Sequence, residues 1–190
     1  MARNPERRRH LLDASIRVLA EQGARGLTHR AVDAEAQAPV GTAANYFRTR
    51  EELVRQIFER ISERLRPDLA VHATLARRRP SRALFAAYVR DIVARLTSER
   101  VVTLALFELR LESTRNPEIA TRLGHWLRSN FAADVAFNRA AKLPGGAREI
   151  ALFHYALDGL LLDRLTLSID PDTPTGDVVD ALVNGLLPPR

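Results

Sequence analysis

Apolar residues recur at helical spacing along almost the whole chain. Near the start, Leu12, Ile16, Leu19 and Ala20 fall at i, i+4, i+7 and i+8, one face of a helix from about Pro5 to Gln22. Gly23 and Gly26 supply its stop. Thr28 is placed to cap a second helix over about residues 28–36. A four-residue turn follows, and Pro39 suits the first turn of a third helix reaching about Phe47. Thr49-Arg50-Glu51-Glu52 has the form of a capping box and opens a long fourth helix. Leu53, Ile57, Ile61 and Leu65 make its stripe, with Val54 and Phe58 beside them, and the pattern weakens at Pro67.

The second half keeps the same period. Ala76–Pro80, ARRRP, reads as a linker, after which Ser81 caps a helix carrying Leu84, Phe85, Tyr88, Ile92 and Leu96. A helix over about Glu99–Ser113 follows. Asn116-Pro117-Glu118 then starts another with a cap, a proline at the first position and an acid suited to the dipole. That helix carries Trp126, Phe131 and Phe137, and Leu143-Pro144-Gly145-Gly146 breaks the chain. The next, about Ala147–Ile169, is apolar on more than one side through Phe153, Leu157, Leu160, Leu161, Leu162 and Leu165. Asp170–Thr175 reads as a loop and Val178–Leu187 as a last short helix. Alternating strand patterns are nearly absent, so the predicted class is all-α.

Composition sharpens this picture. Apolar residues make up 46% and aromatics 6%, a globular balance. With no cysteine, disulfides, thiolate metal sites and cysteine nucleophiles are excluded. MARNPERRRH lacks the apolar segment of a secretory signal, and the longest apolar runs are far too short to span a bilayer. The expectation is a soluble, cytoplasmic protein without a membrane partner. Net charge is +6, unevenly spread. Residues 1–82 hold 17 arginines against 10 acids, whereas residues 83–190 hold 12 basic residues against 13 acids. A basic first part joined to a neutral remainder points to a polyanion-binding end and an end with another task.

The basic part carries the most specific pattern, Leu27–Leu53: two short helices joined by a turn, followed at once by a capped third. That is the form of a helix-turn-helix, whose second helix enters the major groove of DNA. Gly41, Thr42, Ala43 and Ala44 are small enough to let it lie deep. Thr42 offers a hydroxyl or a methyl to a base edge, and Asn45 suits adenine or phosphate. Tyr46, Arg48, Thr49 and Arg50 offer hydroxyls and charges to phosphates. Thr28, His29 and Arg30 stand where a helix N-terminus would meet a phosphate.

Residues from about 8 to 58 resemble the DNA-binding head of the tetracycline-repressor (TetR) family of bacterial transcriptional regulators. The resemblance rests, without a gap, on Leu12, Gly23, Thr28, Val32, Ala36, Gly41, Tyr46, Phe47, Arg50, Glu51 and Leu53. The chain departs from the pattern in four places. Gln37-Ala38 replaces the usual Gly-Val of the turn, so a left-handed Gln37 would carry strain of about 1–2 kcal/mol. Ala44 replaces a common tyrosine, Arg50 a frequent lysine, and Asp33 stands where a small residue is usual.

The resemblance implies an all-α fold, with a three-helix head over residues 1–50 and a helical effector and dimerisation domain over residues 51–190. Residues 51–75 would be the connecting helix. It also implies a homodimer through the last two long helices, a palindromic double-stranded operator and a small-molecule effector that releases a repressor. No cofactor and no enzymatic activity are implied. Candidate effector-lining residues at helical spacing are Leu104, Phe107, Glu108, Leu111, Trp126, Phe153, His154, Leu157 and Asp158. His154 and Asp158 have a spacing open to metal but lack a third ligand, so no metal site is assigned. The competing readings are a small helical enzyme, for which no Gly-rich phosphate loop, HExxH or GxSxG is present, and a DNA-independent helical scaffold.

Overall fold

A computed structural model describes residues 4–188. Among them the chain forms ten helices and no strand: α1 (Pro5–Gly26), α2 (His29–Glu35), α3 (Thr42–Tyr46), α4 (Arg50–Arg64), α5 (Leu69–Ala76), α6 (Arg82–Ser98), α7 (Arg100–Glu112), α8 (Pro117–Ala140), α9 (Ala147–Leu165) and α10 (Thr175–Leu186). The starts read from the sequence hold wherever a side chain caps. Thr28 accepts from Ala31 N at 3.1 Å, Ser81 from Leu84 N at 3.1 Å, and Asn116 from Glu118 N at 3.1 Å.

Several boundaries differ from the sequence expectation, among them the start of α10, which lies at Thr175 and not at Val178. α1 continues to Gly26 across a break at Gly23, whose φ of +70° leaves the helical region without ending the element. α3 begins at Thr42 rather than at Pro39, for reasons that belong to the site below. The single connecting helix expected over residues 51–75 is two: α4 ends at Arg64 and α5 is separate, LAVHATLA having no polar face and so no periodicity to mark it, and none of its residues is buried. Asp68 nonetheless starts it by accepting from Ala70 N at 2.7 Å. α9 stops at Leu165 instead of Ile169. There the Asp163 carboxylate takes the Ser168 hydroxyl at 2.6 Å and Ile169 N–H at 2.8 Å, and Arg164 donates to the carbonyls of Asp170 and Thr173, folding the chain back.

The helices gather into two compact units. One holds the chain up to Arg66 together with Glu99–His125; the other holds Pro67–Ser98 and the chain from Trp126. In the first, α1 packs against α2, α4 and α7, and α3 packs on α2. Leu11, Ile16, Leu19, Val32, Phe47, Leu53, Ile57, Ile61 and Leu109 fill its core. α7 and the first turns of α8 thus share a unit with the basic head, because α1 has apolar surface left for α7 to cover. In the second, α6 packs against α5, α9 and α10. Phe85 meets Phe153 at 4.8 Å, and Tyr88 meets Phe137 edge-on at 5.0 Å.

The first unit is also tied by charge. Arg60 grips Asp13 with two bonds of 2.8 and 2.9 Å, Arg64 adds a third at 3.2 Å, and Arg64 also meets the Glu99 carboxylate. Burial by itself would raise the Asp13 pKa. The bonds and charges of Arg60, then of Arg64, outweigh burial and hold that carboxyl below its ordinary 3.8. A depressed carboxyl stabilises the fold above its unfolded pKa, and that stability is lost as pH falls through the folded value. Asp13→Asn is therefore expected to cost about 1–2 kcal/mol at neutral pH, with the gap to wild type closing as pH falls below the ordinary carboxyl value. Thermal unfolding from pH 7 to pH 2.5 checks this; a gap independent of pH would show that the network is not the source.

Candidate nucleic-acid interface

The two short helices α2 and α3 are joined by a turn that carries two left-handed residues. Gln37 has φ +49°, the conformation that its place in the turn demanded, and Gly41 has φ +91°. A Cβ at Gly41 would meet nothing within 4 Å, so it is backbone conformation and not space that calls for glycine there. At φ +91° Gly41 lies outside the right-handed helical region, and α3 accordingly starts only after it.

One buried side chain organises this turn. Asp33, on α2, is 1% exposed. Its Oδ2 accepts from Gly41 N at 2.7 Å, its Oδ1 from Ala43 N at 2.6 Å, and its carbonyl oxygen from Ala38 N at 2.8 Å. The carboxylate therefore caps α3 from the neighbouring helix, meeting both the free N–H groups and the positive dipole end. Pro39 completes the start: its carbonyl accepts the Thr42 N–H at 3.1 Å and the Thr42 hydroxyl at 2.6 Å. The departure at position 33 is thus the brace of the second helix. A carboxylate three residues before an exposed turn was the only sign of it in the sequence.

The sequence candidates fall into three groups. Thr28, Arg30, Asn45, Arg48 and Thr49 are exposed, and His29, Thr42 and Tyr46 are half-buried. Thr28 and Thr49 use their hydroxyls as caps, the latter accepting from Glu52 N at 3.1 Å. The Glu52 carboxylate reaches back to Arg48 N at 2.9 Å, one residue earlier than a reciprocal capping box would place it. His29 Nε2 is buried and finds no hydrogen-bond partner among the described residues. Ala43 is fully buried, so its side chain packs inward and reaches no base. Arg50 likewise turns inward. Its guanidinium donates to Leu27 O at 2.8 Å and Ala24 O at 2.7 Å, satisfying carbonyls at the end of α1. Two further exposed residues on this face, Val40 and Ala44, were not among the candidates.

The effector candidates divide between the units. Leu104, Phe107, Glu108 and Leu111 lie on α7 in the first, where a Cβ at Gly23 would fall 3.2 Å from Glu108 Oε2. Trp126, Phe153, His154, Leu157 and Asp158 lie in the second. Phe153 and Leu157 are buried in its core. His154 Nε2 pairs with Asp134 at 3.0 Å and stands edge-on to Phe131, so its neighbour on α8 replaces the pairing with Asp158 that spacing offered. Arg115 pairs with Glu112 at 3.1 Å.

Two family models match this chain. The one described as bacterial regulatory proteins, tetR family, covers residues 11–57, and the one described as tetracyclin repressor-like, C-terminal domain, covers residues 80–189. The chain belongs to the TetR family. The multidrug binding protein EbrR, in complex with imidazole, is 29% identical over 98% of this chain and 98% of its own, with a TM-score of 0.67. A TetR-family member from Streptomyces coelicolor A3 is 25% identical over 97% of this chain and all of its own (100%), with a TM-score of 0.71. A transcriptional regulator from Rhodococcus sp. Rha1, at 18% identity over 93% and 94% of the two chains, shares the fold at a TM-score of 0.72. No curated protein matches the chain. TetR-family members are non-enzymatic regulators that bind operator DNA, dimerise and bind small molecules, and this regulator is of that kind. None of its described helices is long and apolar enough to cross a membrane.

The turn makes two predictions. Asp33→Ala strands two buried N–H groups and is expected to destabilise this TetR-family head by about 3 kcal/mol, with faster amide exchange at Gly41 and Ala43. Unchanged protection at those two amides would refute the brace. Gln37→Gly removes left-handed strain at an exposed site and is expected to stabilise by about 1 kcal/mol net of added chain entropy, measured by urea unfolding.

Proposed function

We propose that this regulator is a dimeric, sequence-specific repressor released from a palindromic operator by a small-molecule effector. The observation that carries the reading is the braced α2–α3 pair, held rigidly while a polar, cationic face stays open. In this reading residues 1–50 contact DNA, residues 51–75 connect, and the remainder of 51–190 dimerises and senses. Thr28, His29, Arg30, Tyr46, Arg48 and Thr49 anchor phosphates and Asn45 addresses base edges, whereas Thr42, its hydroxyl proton held by Pro39, is left its methyl. Arg50 is reassigned from phosphate contact to positioning, because its donors are already engaged.

Dimerisation through α8 and α9, the last two long helices, accounts for a stripe of α9 that is otherwise open. Tyr155 is 71% and Leu162 49% exposed, with exposed Gly159 between them. For the effector we assign the half-buried Trp126, His154 and Asp158, polar-edged side chains beside the apolar core of the second unit. EbrR has been captured with ethidium, proflavin and malachite green, which supports small-molecule control. Effector binding would favour a head separation unlike the about 34–36 Å between successive major grooves. Such a protein works in the cytoplasm, where its operator is.

The test is a fluorescence-anisotropy titration against DNA flanking the protein's own gene, with scrambled DNA as the control. Tight binding that scrambled DNA cannot match is expected. Arg48→Ala is then expected to weaken binding to all sequences and to lower the salt slope by about 1, since it removes one phosphate contact. Asn45→Ala should instead change base preference at one position. Unchanged salt dependence in Arg48→Ala would refute the phosphate assignment.

A further inference from the structure

Four hydrogen-bond donors at the tip of α3 are already engaged within the fold. Gly41 N–H and Ala43 N–H are bound to Asp33, and the Thr42 N–H and hydroxyl are bound to the Pro39 carbonyl. Pro39 has no N–H, and Ala43 is buried. What faces outward is apolar: Val40 at 86% exposure just before the helix and exposed Ala44 on it, with Asn45 the adjoining polar side chain. Thr28 and Arg30 at the start of α2, and Arg48 and Thr49 directly after α3, are all exposed and give the same two-helix motif its cationic and hydroxyl-bearing rim.

That surround selects the partner of the apolar tip. The rim suits phosphates, so the tip between them meets base edges and not another protein. In the major groove the thymine C5-methyl is the one apolar group, whereas every other position presents a donor or an acceptor. Val40 against a cytosine amino group or a guanine oxygen would leave that polar group without water and without a partner. Against a thymine methyl it buries two apolar groups together. Asn45 beside it matches the donor–acceptor pair of adenine.

From this inventory, and resting on the repressor reading above, we infer that Val40 and Ala44 read thymine methyl groups, so that the contacted core of each half-site is built of A·T pairs. Asp33 contributes to this, because it holds the Gly41 and Ala43 N–H groups inward.

The experiment uses the full-length protein and duplexes selected by it from a random DNA library. The selected half-site is then remade with deoxyuridine for thymine, which removes the methyl and changes no hydrogen bond. Each contacted methyl is expected to be worth about fourfold in affinity, the value of burying one methyl-sized group. Val40→Ala, an exposed substitution that leaves the fold intact, should bind the thymine duplex more weakly and lose most of the penalty at one thymine. Three results would overturn the inference: a selected half-site whose core is G·C, affinity within about twofold after uracil replacement, or a penalty undiminished in Val40→Ala. Selection of no sequence at all would be a different failure, removing the repressor reading and this inference together.

Discussion

A single buried carboxylate determines what this protein presents to DNA. A five-residue helix is too short to persist by its own hydrogen bonds, since nucleation fixes several residues before any bond returns the cost. α3 persists because Asp33 supplies from α2 the partners its first turn lacks, and because Phe47 at its end is buried in the common core. Two left-handed residues set the angle between the helices, and the carboxylate locks it. The same two bonds consume the donors that helix tips ordinarily hold out to anions. Rigidity and selectivity therefore share one cause: the brace that orders the recognition helix also leaves its tip apolar.

The rest of the first unit serves that pair. α1 lies against α2, α4 and α7, and its contacts with α2 and α4 are reinforced by polar ties. Arg50 closes the end of α1, Arg8 donates to buried Gln56 at 2.6 Å, Arg17 meets Glu35, and Asp13 collects Arg60 and Arg64. Many of the arginines that make this half basic are thus spent inside the fold. The surface cation count on the DNA face is lower than composition implies, which places more of the affinity on the few exposed groups: Arg30, Arg48 and the hydroxyls beside them. Such a head gains from being used twice, and dimerisation supplies that.

Much of this was legible from residue order. Helix starts were readable because caps are local: Asn, Ser and Thr act on N–H groups two or three residues away. The long helices were readable because their apolar stripes are wide. α5 was not, because eight residues without a polar face have no period, and the end of α9 was not, because it is closed by Asp163 and Arg164 folding back over the following loop. Of the site, the exposed residues Thr28, Arg30, Asn45, Arg48 and Thr49 could be named from their place in the motif. Arg50 and Ala43 could not be sorted from them, since each turns inward only through a neighbour distant in sequence.

The sequence by itself determined the all-helical class and the helix-turn-helix, because these follow from periodicity, caps and turn chemistry acting within a few residues; the left-handed Gln37 was an expectation of the family resemblance, which has a glycine there. Tertiary structure decided which polar groups are free to act. Asp33 reaches Gly41 and Ala43 across eight and ten residues, and Arg50 reaches Ala24 across 26. Only the packing of α2 and α4 against α1, and of α3 on α2, brings those groups together, and with them it settles that an aspartate and an arginine brace the head while a valine is left facing outward.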